Sequence, residues 1–236
     1  MKKIKIIFNI LEAFLLFFAF IYPSFLANST NVIQINTNPP LFPILFRLII
    51  IVYLAIRLHD EGVFHKKKNI ITRSRVNNFI FGSIKIVLML QTTAVICNLC
   101  TFMIPTTDIT LQAQIPTTML SWIWFFTSVI ILATFEEFLY RGYFPEKILH
   151  SLKNSNWYRK LNKRQKIGTK FLIEFTIILI FALGHSYMGV KSIIVSFFCG
   201  IVLRLMVKLK RSLVQASCAH IINNIISYMV LFFVTN

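Results

Sequence analysis

Apolar residues in this chain gather into long runs separated by short polar connections. Seven runs approach the roughly 20 residues that cross a bilayer as a helix. They lie near 5–26, 41–58, 80–104, 118–140, 171–189, 190–207 and 212–233. Pro39, Pro40, Pro105, Pro116 and Pro145 fall near the ends of runs, where a missing N–H does least harm. The pattern predicts an all-α fold, a polytopic transmembrane helix bundle of about seven spans. Residues 1–115 supply N-terminal spans and residues 116–236 the remainder of a single integral membrane domain. The first run has a basic start like a signal peptide, but Glu12 interrupts it and no A-x-A site follows. It is expected to remain as the first span. The segment 141–170 mixes Leu, Ile, Trp and Tyr with basic residues and predicts short amphipathic helices on the membrane surface.

Composition agrees. Of 236 residues, 56% are hydrophobic and only 14% charged, with Phe alone occurring 24 times. A soluble fold could not cover so much apolar surface. The net charge of +17 raises nucleic acid as a partner, but its placement excludes that class. Lys2, Lys3 and Lys5 open the chain, 27–40 has no Lys or Arg, 57–78 has six, 105–117 none and 141–170 nine. Lys191 sits in the next turn, and Lys208, Lys210 and Arg211 in the one after. Basic and non-basic connections alternate, which places the N-terminus in the cytoplasm by the positive-inside rule. The expected location is a cell membrane, multi-pass. The bias toward Lys, Ile, Asn and Phe suggests an AT-rich genome and a bacterial cytoplasmic membrane. Glu12, Lys85 and Arg204 lie near cytoplasmic ends of spans, within snorkelling reach, whereas Arg47 is deeper and has no evident partner. Cys97 and Cys100 form a C-x-x-C inside an apolar run and read as packing residues.

Ionisable groups at membrane depth mark function by default. FEEFLYRGYF places Glu137 and Arg141 four apart, the favoured ion-pair geometry. Glu136 is turned about 100° away, without a local partner. A carboxylate shielded from water and left unpaired suits a general base. FALGHSYMG puts Phe181 and His185 on one helix face, with the phenyl ring able to shield the imidazole. CAHIINNI puts His220 and Asn224 on one face, two side chains that can donate to a developing oxyanion. Singly, the two His motifs also fit packed or hydrogen-bonded helix interfaces. His59, His65 and His150 fall in basic loops and read as solvated.

In order, E-E-x-x-x-R at 136–141, F-x-x-x-H at 181–185 and H-x-x-x-N at 220–224 resemble the CAAX protease and bacteriocin-processing (Abi) family. The resemblance covers 136–224. It implies a metal-free intramembrane glutamic endopeptidase acting on a membrane-associated peptide or protein. Glu136 would activate water, His185 would hold that water, and His220 with Asn224 would form the oxyanion hole. Glu137, Arg141 and Phe181 would support them, and no cofactor is implied. Within the enzyme class, Glu136, His185 and His220 could instead ligate zinc, although no H-E-x-x-H favours it. A bacteriocin self-immunity protein without catalysis is the alternative on the same scaffold, and a transporter with a midplane site is a third reading. One tension stands. Glu136 falls near the cytoplasmic end of its span, while His185 lies 15 residues beyond Lys170, about 22 Å at helical rise. A water-filled cavity reached from the cytoplasmic side, with the four residues converging on it, is expected.

Overall fold

The computed structural model describes residues 41–60, 73–104, 115–210 and 212–235, together with parts of 11–22 and the stretches 32–35 and 110–113. From Leu41 onward the described residues form eight helices: α1 (Leu41–Asp60), α2 (Arg73–Cys100), α3 (Met119–Glu136), α4 (Phe144–Lys153), α5 (Asn156–Lys160), α6 (Lys163–Leu183), α7 (Val190–Lys210) and α8 (Leu213–Thr235). A π-helical segment, Glu137–Tyr143, joins α3 to α4, and a 3-10 turn, Ser186–Met188, joins α6 to α7. The all-α bundle is therefore as hydropathy predicts. Its single addition among the described residues is a parallel pair of four-residue strands, β1 (Val32–Ile35) and β2 (Thr110–Ala113), with Val32 opposite Thr110. These strands join the two connections that lack Lys and Arg, as expected if both lie on one side of a membrane.

Five helical stretches are long and apolar enough to span: Leu41–Asp60, Val76–Cys100, Met119–Lys153, Val190–Leu209 and Leu213–Val234. The expected span at 5–26 falls largely outside the described residues. The span expected at 171–189 is corrected. Its helix begins earlier, at Lys163, behind a capping box of Asn162 and Gln165, and ends at Leu183. Lys163, Arg164, Lys166, Lys170 and Glu174 interrupt its apolar run. Beyond Leu183 the chain turns, and Gly189 (φ 90°) adopts a backbone conformation costly for other residues before redirecting the chain into α7. The span expected at 118–140 is also longer. It continues unbroken through the π segment and α4 to Lys153. Arg141 and Lys147, counted above with the basic loop, are consequently inside the protein at 2% exposure each.

The bundle holds together where small residues admit neighbouring helices. Helix α2 packs on α7 and α8, α6 on α7, and α3 on α1 and α8. Fully buried Ala216 and Ala219 of α8 meet Ile86, Val87 and Leu90 of α2 and Leu203 of α7. A second cluster unites Leu54 and Leu58 of α1 with Leu139, Tyr143, Ile177, Phe181 and Leu213 around the π segment. A third is aromatic, with Phe125 packing on Tyr228 and Phe232. Outside, Phe42, Leu99, Phe102, Leu120 and Phe233 stand exposed, an apolar surface that lipid would cover.

Gly142 lies where α1 and α8 approach the π segment most closely. A Cβ there would come 2.8 Å from Leu58 Cδ1 and 3.1 Å from Leu213 Cδ2. Gly142→Val is expected to wedge both helices outward at about 1–3 kcal/mol, read as a lower unfolding midpoint in detergent.

Candidate active site

The π segment explains how two adjacent acids come to lie inside an apolar bundle. Pro145 has no N–H and cannot continue the α pattern back to the carbonyl of Arg141. The helix widens just before it, and the Phe144 amide donates to the Leu139 carbonyl. All seven residues of the widened stretch are buried, Glu137 to 0% exposure. Glu136, the last α-helical residue before it, keeps 17% of its side chain exposed.

From this stretch a chain of polar contacts crosses the bundle. Arg141 Nη1 lies 3.3 Å from Glu137 Oε1, the i, i+4 pair read from the sequence. The Arg141 guanidinium also stands over the Phe181 ring, 3.8 Å from its centroid. His220 of α8 donates through Nδ1–H to the same Glu137 oxygen at 2.8 Å. The other ring nitrogen, Nε2, is thereby turned toward Glu136 Oε2 at 3.7 Å. Glu137 thus sets which face His220 presents, as a carboxylate behind an imidazole does in other sites.

His185 sits just past the end of α6. Its Nδ1–H donates to the Phe181 carbonyl at 3.0 Å, so the neutral ring keeps an acceptor at Nε2. The Phe181 ring packs edge-on against His185 (4.9 Å) and reaches His220 (6.5 Å), filling the space among the polar groups. On α8, Asn223 accepts from Gln91 Nε2 at 2.9 Å and is committed to α2. Asn224, one residue on, lines the open cavity.

That cavity, about 350 Å³, is lined by Glu136, His185, His220 and Asn224. Leu90, Leu132, Val195, Leu203 and Leu231 form much of its apolar wall. A second cavity of about 170 Å³ shares Glu136, Phe181, His185 and Tyr187 with the first and adds Arg47, Tyr140 and Gly184. The structure therefore brings together all four residues singled out for chemistry and the three singled out as supports. The depth conflict eases because the helical stretch that contains Glu136 runs on to Lys153 instead of ending near residue 140. Glu136 lies 17 residues past Met119, about 26 Å along a helix that continues to Lys153.

Two points go beyond the sequence reading. Glu136 is alone on its own helix, but His220 and the charge of Arg47 face it from other helices. Arg204 does not snorkel. It is 5% exposed and pairs with Glu174. Glu12, likewise, pairs with Arg57 and Lys147 and accepts from Tyr53. Glu12, Arg47 and Arg204 were visible in the sequence as charges within spans, but their partners were not. Among the described residues, no three His, Cys, Asp or Glu side chains are grouped to hold a metal ion.

Fold and site define a class: a multi-pass helical membrane protein with an ionisable site enclosed between its spans. Residues 118–226 match the family described as type II CAAX prenyl endopeptidase Rce1-like. That match agrees with the family that the three motifs resemble, which is one of proteases. No curated protein and no solved structure matches the chain significantly.

Removing one member of a buried ion pair strands the other. Glu137→Gln is expected to lower stability by about 3–5 kcal/mol, measured as the unfolding midpoint in detergent. The double change Glu137→Gln with Arg141→Met is expected to recover part of the loss.

Proposed function

We propose that this protein is an intramembrane endopeptidase of the glutamic type, cleaving a membrane-associated peptide or protein tail. The observation that carries the reading is the shared cavity of Glu136, His185, His220 and Asn224. A water beside Glu136 loses its proton to the carboxylate as its oxygen adds to the scissile carbonyl. His185, with Nδ1–H held by the Phe181 carbonyl, accepts a hydrogen bond from that water at Nε2 and orients it. His220, when Nε2 carries a proton, and the Asn224 amide donate to the oxygen that becomes negative. The C–N bond then breaks, and the proton held by Glu136 passes to the departing amine. Leucine and valine side chains around the larger cavity suit an apolar stretch of substrate.

The N-terminus is read as cytoplasmic from the alternation of basic and non-basic connections. His185, Tyr187, Met188 and Ser192 line the cavity from the ends of α6 and α7 opposite the basic turns at Lys163 and Lys208, so the opening beside those turns expected from the sequence is not carried forward. A bacterial cytoplasmic membrane is the proposed location. Residues 1–115 are read as scaffold and 116–236 as the catalytic part.

Glu136→Gln and Glu136→Ala are expected to keep the fold, since the side chain faces open cavity, and to lose hydrolysis, a drop on the order of 10²-fold or more. The measurement is comparative mass spectrometry of membrane peptides from cells carrying wild type or variant. A product present only with wild type supports the reading. If cells carrying Glu136→Gln remain protected against a bacteriocin and no product separates them from wild type, the non-catalytic immunity role replaces it.

A chelator is expected to leave the rate of the purified protein unchanged. Loss of activity on chelation, restored by zinc, would instead make Glu136, His185 and His220 metal ligands.

A further inference from the structure

Pro145 leaves the Arg141 carbonyl without its ordinary helical donor, deep in a region where an unmet carbonyl costs several kcal/mol. The structure meets it from another helix. Arg204 Nη1 of α7 donates to the Arg141 carbonyl at 2.6 Å. The same guanidinium grips Glu174 of α6 through Nε and through Nη2, the latter at 2.7 Å. Lys208 adds a second cation to Glu174 at 3.0 Å, and Glu146 lies 3.6 Å from Arg204 Nη2. One turn before Arg204 on α7, Gly200 lets the helix pack closely on α6: an added Cβ would lie 3.2 Å from Ile178 Cγ2 and 3.3 Å from Phe181 Cδ1. Helix α7 thus holds the backbone of Arg141 through Arg204. The space beside Arg141, Glu174 and Arg204 is only about 10 Å³, at the lower limit for one water, so solvent is a poor substitute for this grip.

We propose that Arg204 is a positioning residue for the hydrolytic site, acting through the backbone of the π segment rather than by touching substrate. By fixing the Arg141 carbonyl it fixes the widened turn, hence the place of Glu137, the orientation of His220 and its separation from Glu136. This rests on the peptidase reading above. Its structural half, that Arg204 holds the π segment, stands without it.

The test compares wild type, Arg204→Lys and the double variant Arg204→Met with Glu174→Met in lipid nanodiscs. The double variant removes both buried charges together. Lys208 and Glu146 lose these partners but are 39% and 41% exposed and within reach of solvent, so folding is expected to be retained. Lysine keeps the charge but cannot bond the carbonyl and Glu174 in a planar fork. The probe is a fluorogenic prenylated CAAX peptide. Expected for the double variant is a kcat lower by on the order of 10- to 100-fold with KM close to wild type. Arg204→Lys is expected to fall between the two. Hydrogen exchange of amides 137–144 is expected to accelerate at least tenfold in the double variant, while the α2–α8 contact stays protected. Wild-type kcat in the double variant, or unchanged exchange at 137–144, overturns the proposal. If Glu136→Gln cleaves the probe as fast as wild type, the peptidase reading fails; if wild type leaves it intact, prenylated CAAX peptides are excluded as substrates. The exchange measurement then decides the structural half alone.

Discussion

Glu137 is completely enclosed, and its negative charge must be met on the spot because no water reaches it. Arg141 on the next turn and His220 on a distant helix both meet it at one oxygen. This requirement orders much of what surrounds it. The guanidinium needs a second face and finds the ring of Phe181. The imidazole, tethered at Nδ1, has only Nε2 left to turn toward Glu136. Three helices and the turn after α6 are thereby referred to a single carboxylate.

The chain reaches this arrangement through a defect in an otherwise regular helix. A straight α-helix through residues 119–153 would place successive side chains at fixed 100° steps. Widening it over seven residues changes the phase between Glu136 and the residues after Tyr143. Glu136 faces the cavities, while Glu137 faces inward. Pro145 locates the defect, and Arg204 closes the hydrogen bond that the proline leaves open. Such widenings recur at functional sites because they give a helix side-chain directions that regular geometry denies it.

A second consequence is the division of charge within the bundle. Glu174, Arg204, Lys208 and Glu146 form one network near the end of α7, and Glu12, Arg57 and Lys147 another. The first sets two acids against two cations, and in the second one acid is shared by two cations. Glu136, by contrast, has among the described residues an imidazole 3.7 Å away and the charge of Arg47 facing it, with open cavity on both sides. The carboxylate least committed to a protein partner is the one with room beside it for a reacting molecule.

Much was legible in the sequence because some constraints are local. Long apolar runs between basic and non-basic connections impose membrane helices whatever the tertiary fold. Spacing of four residues puts Glu137 with Arg141, Phe181 with His185 and His220 with Asn224 on common faces, since helical periodicity alone decides that. Helix ends were less legible. Charged residues such as Lys163 and Arg164 hid the start of α6, and the basic Arg141 and Lys147 looked like loop. The order of three motifs indicated a family, but only folding could select which nitrogen of His220 meets Glu137, give Arg47 its place opposite Glu136, or carry Arg204 to a carbonyl 63 residues away in sequence. Those choices depend on contacts between helices, and the pattern along one strand of sequence does not record which helix stands beside which.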